Sequence, residues 1–429
     1  MREDSLTNDN RQEDLVIIFG AGASITSGLP TTDDLTKCAE DAFREAYAEH
    51  YSSFGAHPEK ADEGRAIADQ IIARLTGAFA DSYNFEVLIH AVRSLYAFTA
   101  TSQGAISGAP STYKPVASLF AEIAEPFKDG LRAVILDQAF FDIMRAIHRM
   151  VGSAMEQTPD TSQKASRDAT SRFLEICAER FRITVVDLNY DTLADEASIE
   201  WCDGFPPVPD RPGYSVFDPL AWITADDRSD ILIHMHGSVK FGYPPQPVLQ
   251  RLSSSWEPVK YDRLDAYKSM RRTGSGLTLI AGMDYGAFVL ISGIEKAGSL
   301  AYNMRPFGYY YLTAADAILK SRRLVVVGYG GRDPHVNALI AEHADIHGDN
   351  RRAAAIMPYN SAWQNENERG ENRLLRLLVG RERWDSSHGL AGGAWSAGVV
   401  EAGPLRLYTL GAPNAYEDAS AICDYLNAI

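Results

Sequence analysis

The feature that most constrains the fold is a series of short apolar, β-branched runs, most of them closed by glycine. They read LVIIFG (Leu15 to Gly20), RITVVDL (Arg182 to Leu188), DILIHMHG (Asp230 to Gly237), FVLISG (Phe288 to Gly293), RLVVVGYG (Arg323 to Gly330), AAAIM (Ala353 to Met357) and LRLYTLG (Leu405 to Gly411). Each has the length of a strand buried on both faces, and helix-like patterns lie between them. The expected class is α/β: a Rossmann-like, mostly parallel sheet with helices on both faces.

The spacing of the runs is uneven. About 160 residues separate the first from the second, far more than one crossover helix needs. Within them EGRAIADQIIARLTGAFA, FEVLIHAVRSLYAF and LDQAFFDIMRAIHRMVGSAM carry apolar residues three and four apart, which predicts a large helical insert over about 50–180. Thr101 to Pro115 and Glu156 to Ser166 read as loops in it, and Gly242 to about Tyr285 as a second irregular interruption. Residues 1–14 read as a polar N-terminal segment, 15–429 as one domain, and about 358–429 as its completing strand and helix.

Composition narrows the partners. A chain of 429 residues with 45% hydrophobic content can bury a large core. A formal net charge of −16 repels a phosphate backbone, so no direct nucleic-acid partner is expected. The N-terminus has no basic segment leading into an apolar one, and no run of eighteen apolar residues occurs, so neither export nor a membrane partner is expected and the chain reads as cytoplasmic. Cys38, Cys177, Cys202 and Cys423 are scattered, which suggests neither a disulfide framework nor a cysteine zinc site.

Four strand ends carry the chemistry. Gly20-Ala21-Gly22-Ala23-Ser24 after the first run lets backbone approach a pyrophosphate at a helix start, although a tight turn uses the same glycines. The ordinary dinucleotide fingerprint is broken, because its third glycine falls at Ile25 and Asp33 to Glu49 reads as helix. The second run ends VVDLNYDTLAD, placing Asn189 and Asp191 at a ligand-binding sheet edge; Asp191 equally suits a helix N-cap. In IHMHGSV, His234 and His236 share one strand face. A metal there lacks further ligands, whereas a histidine at a strand end suits a general base. The fifth run opens a helix through Gly328, Tyr329 and Asp333-Pro334, either as a plain helix start or as a second loop against a dinucleotide.

In their order, G-A-G-x-S…G-L-P, N-Y-D, H-G-S and G-Y-G-x-x-D-P, these motifs resemble the sirtuin-like NAD-binding superfamily over about Leu15 to Met357. They are most similar to the sirtuin-like NAD hydrolases of bacterial antiphage defence, and YNFEVLIHAV (Tyr83 to Val92) resembles a Phe-Glu segment of those domains. The resemblance implies a sirtuin-like fold and NAD as substrate, with no metal. It implies pyrophosphate binding by Gly20, Ala21, Gly22 and Ser24, and adenosine-side contacts from Gly328, Tyr329 and Asp333. It also implies catalytic roles for Asn189 at the nicotinamide ribose, for Asp191 near the nicotinamide and for His236 as proton acceptor, with His234 as a packing residue.

Sirtuin deacylases add two cysteine pairs and a G-I-P-D-F-R segment; here Pro30 is followed by TTDD and no pairs exist, which disfavours deacylation. The implied activity is hydrolysis of the nicotinamide–ribose bond to nicotinamide and ADP-ribose, depleting NAD in abortive infection. The implied partners are further copies of the chain and a trigger protein, the HerA-type ATPase kind fitting the chain size best. The competing class is a non-hydrolysing NAD or ADP-ribose sensor or assembly subunit.

Overall fold

The computed structural model describes residues 13–53, 60–102, 133–207, 213–225, 229–242, 258–264, 305–357, 371–379 and 398–429. The central sheet has eight strands. In chain order they are β1 (Asp14–Phe19), β2 (Arg182–Asp187), β3 (Trp201–Cys202), β5 (Asp230–His234), β8 (Arg323–Val327), β9 (Arg352–Ile356), β10 (Val399–Ala402) and β11 (Leu405–Tyr408). Their order across the sheet is β10-β11-β9-β8-β1-β2-β5-β3, and every pairing is parallel except the β10–β11 hairpin. A second, three-stranded antiparallel sheet consists of β4 (Tyr214–Val216), β6 (Phe241–Gly242) and β7 (Val259–Tyr261).

Both faces of the large sheet are covered, and β1 shows why. Val16 and Ile18 enter one apolar core, whereas Leu15, Ile17 and Phe19 enter another, as the two-residue period of a strand requires. The first core is filled from α7 (Phe307–Lys320), α8 (Pro334–His347) and α9 (Glu371–Val379), through residues such as Tyr310, Ile318, Leu339 and Leu375. The second is filled from α5 (Thr161–Arg180), α10 (Ala412–Glu417) and α11 (Ala419–Asn427), through Phe173, Ala415 and Leu426. A short helix, α6 (Pro219–Ile223), is capped by Asp218 and carries Pro219 at its start, where the missing N–H costs nothing.

Among the described residues, four further helices precede β2: α1 (Thr32–Ser53), α2 (Ala61–Phe79), α3 (Phe85–Ser102) and α4 (Ala133–Glu156). They share a core of their own, including Phe43, Tyr47, Ile71, Leu88, Val92, Ile143 and Ile147. Tyr190 and Val239, from the loops after β2 and β5, belong to that same core, so the helices sit over the carboxyl edge of the sheet. His148 of α4 fastens them there, its Nε2–H donating to the Val239 carbonyl at 2.7 Å. Burial pushes the His148 imidazole down to about 4, which keeps it neutral near pH 7.

Six of the seven expected strand runs lie in the described residues and form strands; Phe288 to Gly293 lies outside them. The expected loop Glu156 to Ser166 is shorter than the composition suggested. Helix α5 already begins at Thr161, because Asp160 and Gln163 form a reciprocal capping box that satisfies its first N–H groups. Of Thr101 to Pro115, only Thr101 and Ser102 are described, and they end α3. None of the described helices is long and apolar enough to cross a membrane.

Candidate active site

The carboxyl ends of β1, β2, β5 and β8 converge, as neighbouring parallel strands must, and the four sequence motifs lie there together. After β1 the chain makes two 3₁₀ turns, Ala21–Ala23 and Ile25–Ser27, and α1 starts only at Thr32. The first loop therefore differs from the expected direct entry into a helix. Its backbone interlocks with the loop after β8: Gly20 N–H donates to Val327 O at 2.9 Å and Gly22 N–H to Gly328 O at 2.8 Å.

This interlock explains the glycines. A Cβ on Gly20 would lie 2.6 Å from Tyr329 Cα, and one on Gly22 would lie 2.9 Å from Gly328 Cα. Gly328 itself has φ of +60° and would place a Cβ 2.1 Å from Ala23 N. All three positions thus exclude a side chain through backbone-to-backbone contact before any ligand is considered. The N–H groups of Ala23 and Ser24 are also used locally, donating to Gly20 O and Ala21 O.

Ser24, Asn189 and Asp191 meet in one hydrogen-bonded cluster. Ser24 Oγ–H donates to Asp191 Oδ2 at 2.7 Å, while Asn189 Nδ2 donates to Ser24 Oγ at 3.1 Å and to Gly20 O at 3.2 Å. The Asn189 backbone N–H is received by Asp187 Oδ1 at 2.9 Å, and the Leu193 N–H by Asp191 Oδ1 at 3.0 Å. Asn189 is half-buried, and with its donors committed inward its Oδ1 is the polar atom left for a ligand. Burial, then the neighbouring Asp191, pushes the Asp187 carboxyl well up. Burial raises that of Asp191, against its bonds from Leu193 and Ser24.

His236 follows β5 and is buried. Its Nδ1–H donates to Leu188 O at 3.0 Å, a tautomer that leaves Nε2 with the lone pair a general base requires. Nε2 faces Asp333 Oδ1 at 3.9 Å, and the His335 ring lies 5.9 Å away, centroid to centroid. Tyr329, expected to face a ligand, is buried, and its phenol braces its own loop. Its single O–H lies within reach of Asn337 Oδ1 at 3.0 Å and Asp333 O at 3.1 Å, and its oxygen receives the Asp333 N–H at 3.0 Å. Ala21 is exposed at the tip of the first loop.

His234 has no solvent exposure, and its Nδ1 lies 3.7 Å from Oδ2 of Asp187, the carboxylate that receives the Asn189 N–H. Its Nε2 meets Asp195 Oδ2 at 2.9 Å, and Asp195 also pairs with Lys260 Nζ at 2.8 Å; Lys260 reaches Asp203 at 2.6 Å. Burial acts to raise the Asp195 carboxyl, but Lys260 and His234 outweigh it and hold it well below the usual carboxylate range. A cavity of about 520 Å³ opens beside this network, lined by Glu156, Thr192, Asp195, Glu196, Lys240 and Asp262 to Leu264. Neither His236 nor Asn189 lines it.

Three residues given no role from the sequence also stand here: Tyr190 of the N-Y-D motif, Glu86 of the Phe-Glu segment, and His335. Tyr190 packs edge-on against Phe85 at 6.2 Å, and burial, with the Glu86 and Asp333 carboxylates nearby, pushes its phenol well up. Glu86, on the Phe-Glu segment, thus reaches the centre from α3. His335 was legible only as the residue after Asp333-Pro334, and nothing in its spacing marked it.

Residues 183–378 match the family of the SIR2-like domain, a span that holds Asn189, Asp191, His236, Gly328 and Asp333 while the first glycine loop precedes it. No curated protein matches the chain. Among solved structures, a triple mutant of a Sir2 homologue in complex with 2'-O-acetyl ADP ribose is similar at 12% identity with a TM-score of 0.35, over 89% of this chain and 96% of that one.

Proposed function

We propose that this chain is an NAD glycohydrolase that cleaves the nicotinamide–ribose bond with water, giving nicotinamide, ADP-ribose and a proton. The observation that carries the reading is the placing of Asn189 and His236 at one sheet edge, Asn189 Nδ2 held by Gly20 O and Ser24 Oγ and His236 Nδ1 by Leu188 O. As the glycosidic bond breaks, positive charge builds on the ribose and nicotinamide departs as a neutral amide. Asn189 Oδ1 orients a ribose hydroxyl and the incoming water, and His236 Nε2 takes the water's proton. Positioning by such groups, together with charge stabilisation in a site shielded from water, supplies most of the rate without a covalent intermediate.

Asp191 acts through Ser24: its carboxylate receives the serine hydroxyl, which in turn receives Asn189 Nδ2 and so fixes the amide's orientation. Gly20, Ala21, Gly22 and Ser24 form the wall for the pyrophosphate, and Gly328, Tyr329 and Asp333 the wall for the adenosine half. In this reading the interlocked glycine loops set the depth of the groove, and Tyr329 shapes it from behind.

The resemblance supports a setting as well as a reaction. The enzyme is a cytoplasmic effector of an antiphage system that depletes NAD, assembled as a homo-oligomer and triggered by a partner such as a HerA-type ATPase. The helical bundle α1–α4 is the surface proposed for assembly. Incubating the pure chain with NAD, alone and at high protein concentration, tests the reaction. Nicotinamide and ADP-ribose appearing in equal amounts is the expected result; tight NAD binding without either product would favour the sensor reading.

A further inference from the structure

Among the described residues, one cluster joins three metal-ligating side chains: His236, Asp333 and His335 each offer an atom, all within 4.8 Å of one another. They come from two elements, the end of β5 and the first turn of α8. His236 Nε2 lies 3.9 Å from Asp333 Oδ1, and the two imidazole planes stand 65° apart rather than stacking. Ligand atoms on a tetrahedral zinc ion lie about 3.4 Å apart, so the three must draw in from separations of up to 4.8 Å to share one ion.

The supports behind the ligands have the same character. His236 donates its Nδ1–H to the Leu188 carbonyl, the arrangement that fixes the orientation and tautomer of a ligating histidine. Asp333 stands at the N-cap of α8 without capping it through its carboxylate. Its backbone is held on both sides by the Tyr329 phenol. Two imidazoles and one carboxylate form a donor set for a borderline divalent transition ion, with a fourth position open.

We propose that His236, Asp333 and His335 bind a divalent transition-metal ion of the zinc class, and that the bound ion takes the His236 Nε2 lone pair and so holds the enzyme inactive. The inhibitory half rests on the hydrolase reading; the binding half does not. The test uses the full chain, stripped with a chelator and titrated with zinc chloride by calorimetry, with cobalt substitution read by visible absorption. Wild type is expected to take one ion with the absorption of a histidine-ligated cobalt site. His335→Ala and, independently, Asp333→Asn are expected to weaken binding by about tenfold or more, with their circular dichroism unchanged.

The chain has ten histidines, so binding elsewhere is the natural alternative. Wild-type stoichiometry and affinity in both folded variants, or no binding by wild type, would overturn the site. Zinc is expected to suppress nicotinamide release by wild type but not by His335→Ala, each compared with its own metal-free rate. Bound zinc that leaves release untouched would overturn the inhibitory half. Absence of release under every condition would count against the hydrolase reading and leave the binding result standing.

Discussion

Acidification should loosen the helical bundle from the carboxyl edge of the sheet through one residue, His148. It lies on α4, is buried, and donates from Nε2 to the carbonyl of Val239, three residues beyond His236. Its folded value of about 4 lies below the ordinary 6.5. The folded state therefore binds fewer protons than the unfolded chain, and stability falls as pH drops below about 6.5 until the folded value is reached. Between pH 7 and pH 5 the unfolded histidine becomes almost fully charged while the folded one stays neutral, and at 1.36 kcal/mol per unit the loss is about 2 kcal/mol. Asp187 and Asp191, whose folded values are raised, act in the opposite sense, stability falling as pH rises from about 4 through their folded values. A difference measurement removes them. His148→Gln keeps an amide donor for Val239 and does not titrate, so its urea-unfolding free energy should change less between pH 7 and pH 5 than wild type's, by about 2 kcal/mol. Equal changes in the two proteins would refute both the burial argument and the role of His148 as the fastening.

Three further outcomes follow from the geometry. Asp195→Asn leaves Lys260 buried with Asp203 as its remaining carboxylate, so the loss in urea unfolding should fall at the low end of the roughly 3–5 kcal/mol typical of a broken buried pair. A second change, Lys260→Met, should recover part of that loss, and a purely additive pair would contradict the network. Gly22→Ala forces a Cβ against Gly328 backbone and should cost about 1–3 kcal/mol even without nucleotide; unaltered stability in the apo protein would show that the loop yields. Ser24→Ala removes a donor from buried Asp191 and an acceptor from Asn189, and should cost about 1–3 kcal/mol while lowering turnover; a stability loss with full turnover would separate Asn189's orientation from the serine.

What could be read before the structure follows from locality. The long apolar runs announced their strands because a strand buried on both faces needs no partner to be recognised. The two- and three-residue strands β3, β4, β6 and β7 carry no such period, and only pairing to distant segments makes them strands. The capping pair Asp160 and Gln163 was a readable helix start lost inside a polar stretch. At the site, residue types at strand ends could be named, but not the contact that defines their roles. Asp191 meets Ser24 across 167 positions of chain, and His236 faces Asp333 across a gap set by the sheet order. The glycines were expected to clear space for a phosphate; their first neighbour is the other loop's backbone, a non-local packing fact.

Nicotinamide release from NAD by purified wild type, Asn189→Ala and His236→Ala decides whether Asn189 and His236 together break the nicotinamide–ribose bond. Release by wild type is expected, reduced by roughly 10²–10⁴-fold in His236→Ala for loss of a general base, with a comparable loss in Asn189→Ala and with NAD still bound by both variants. Release at the wild-type rate by folded His236→Ala would contradict that joint role.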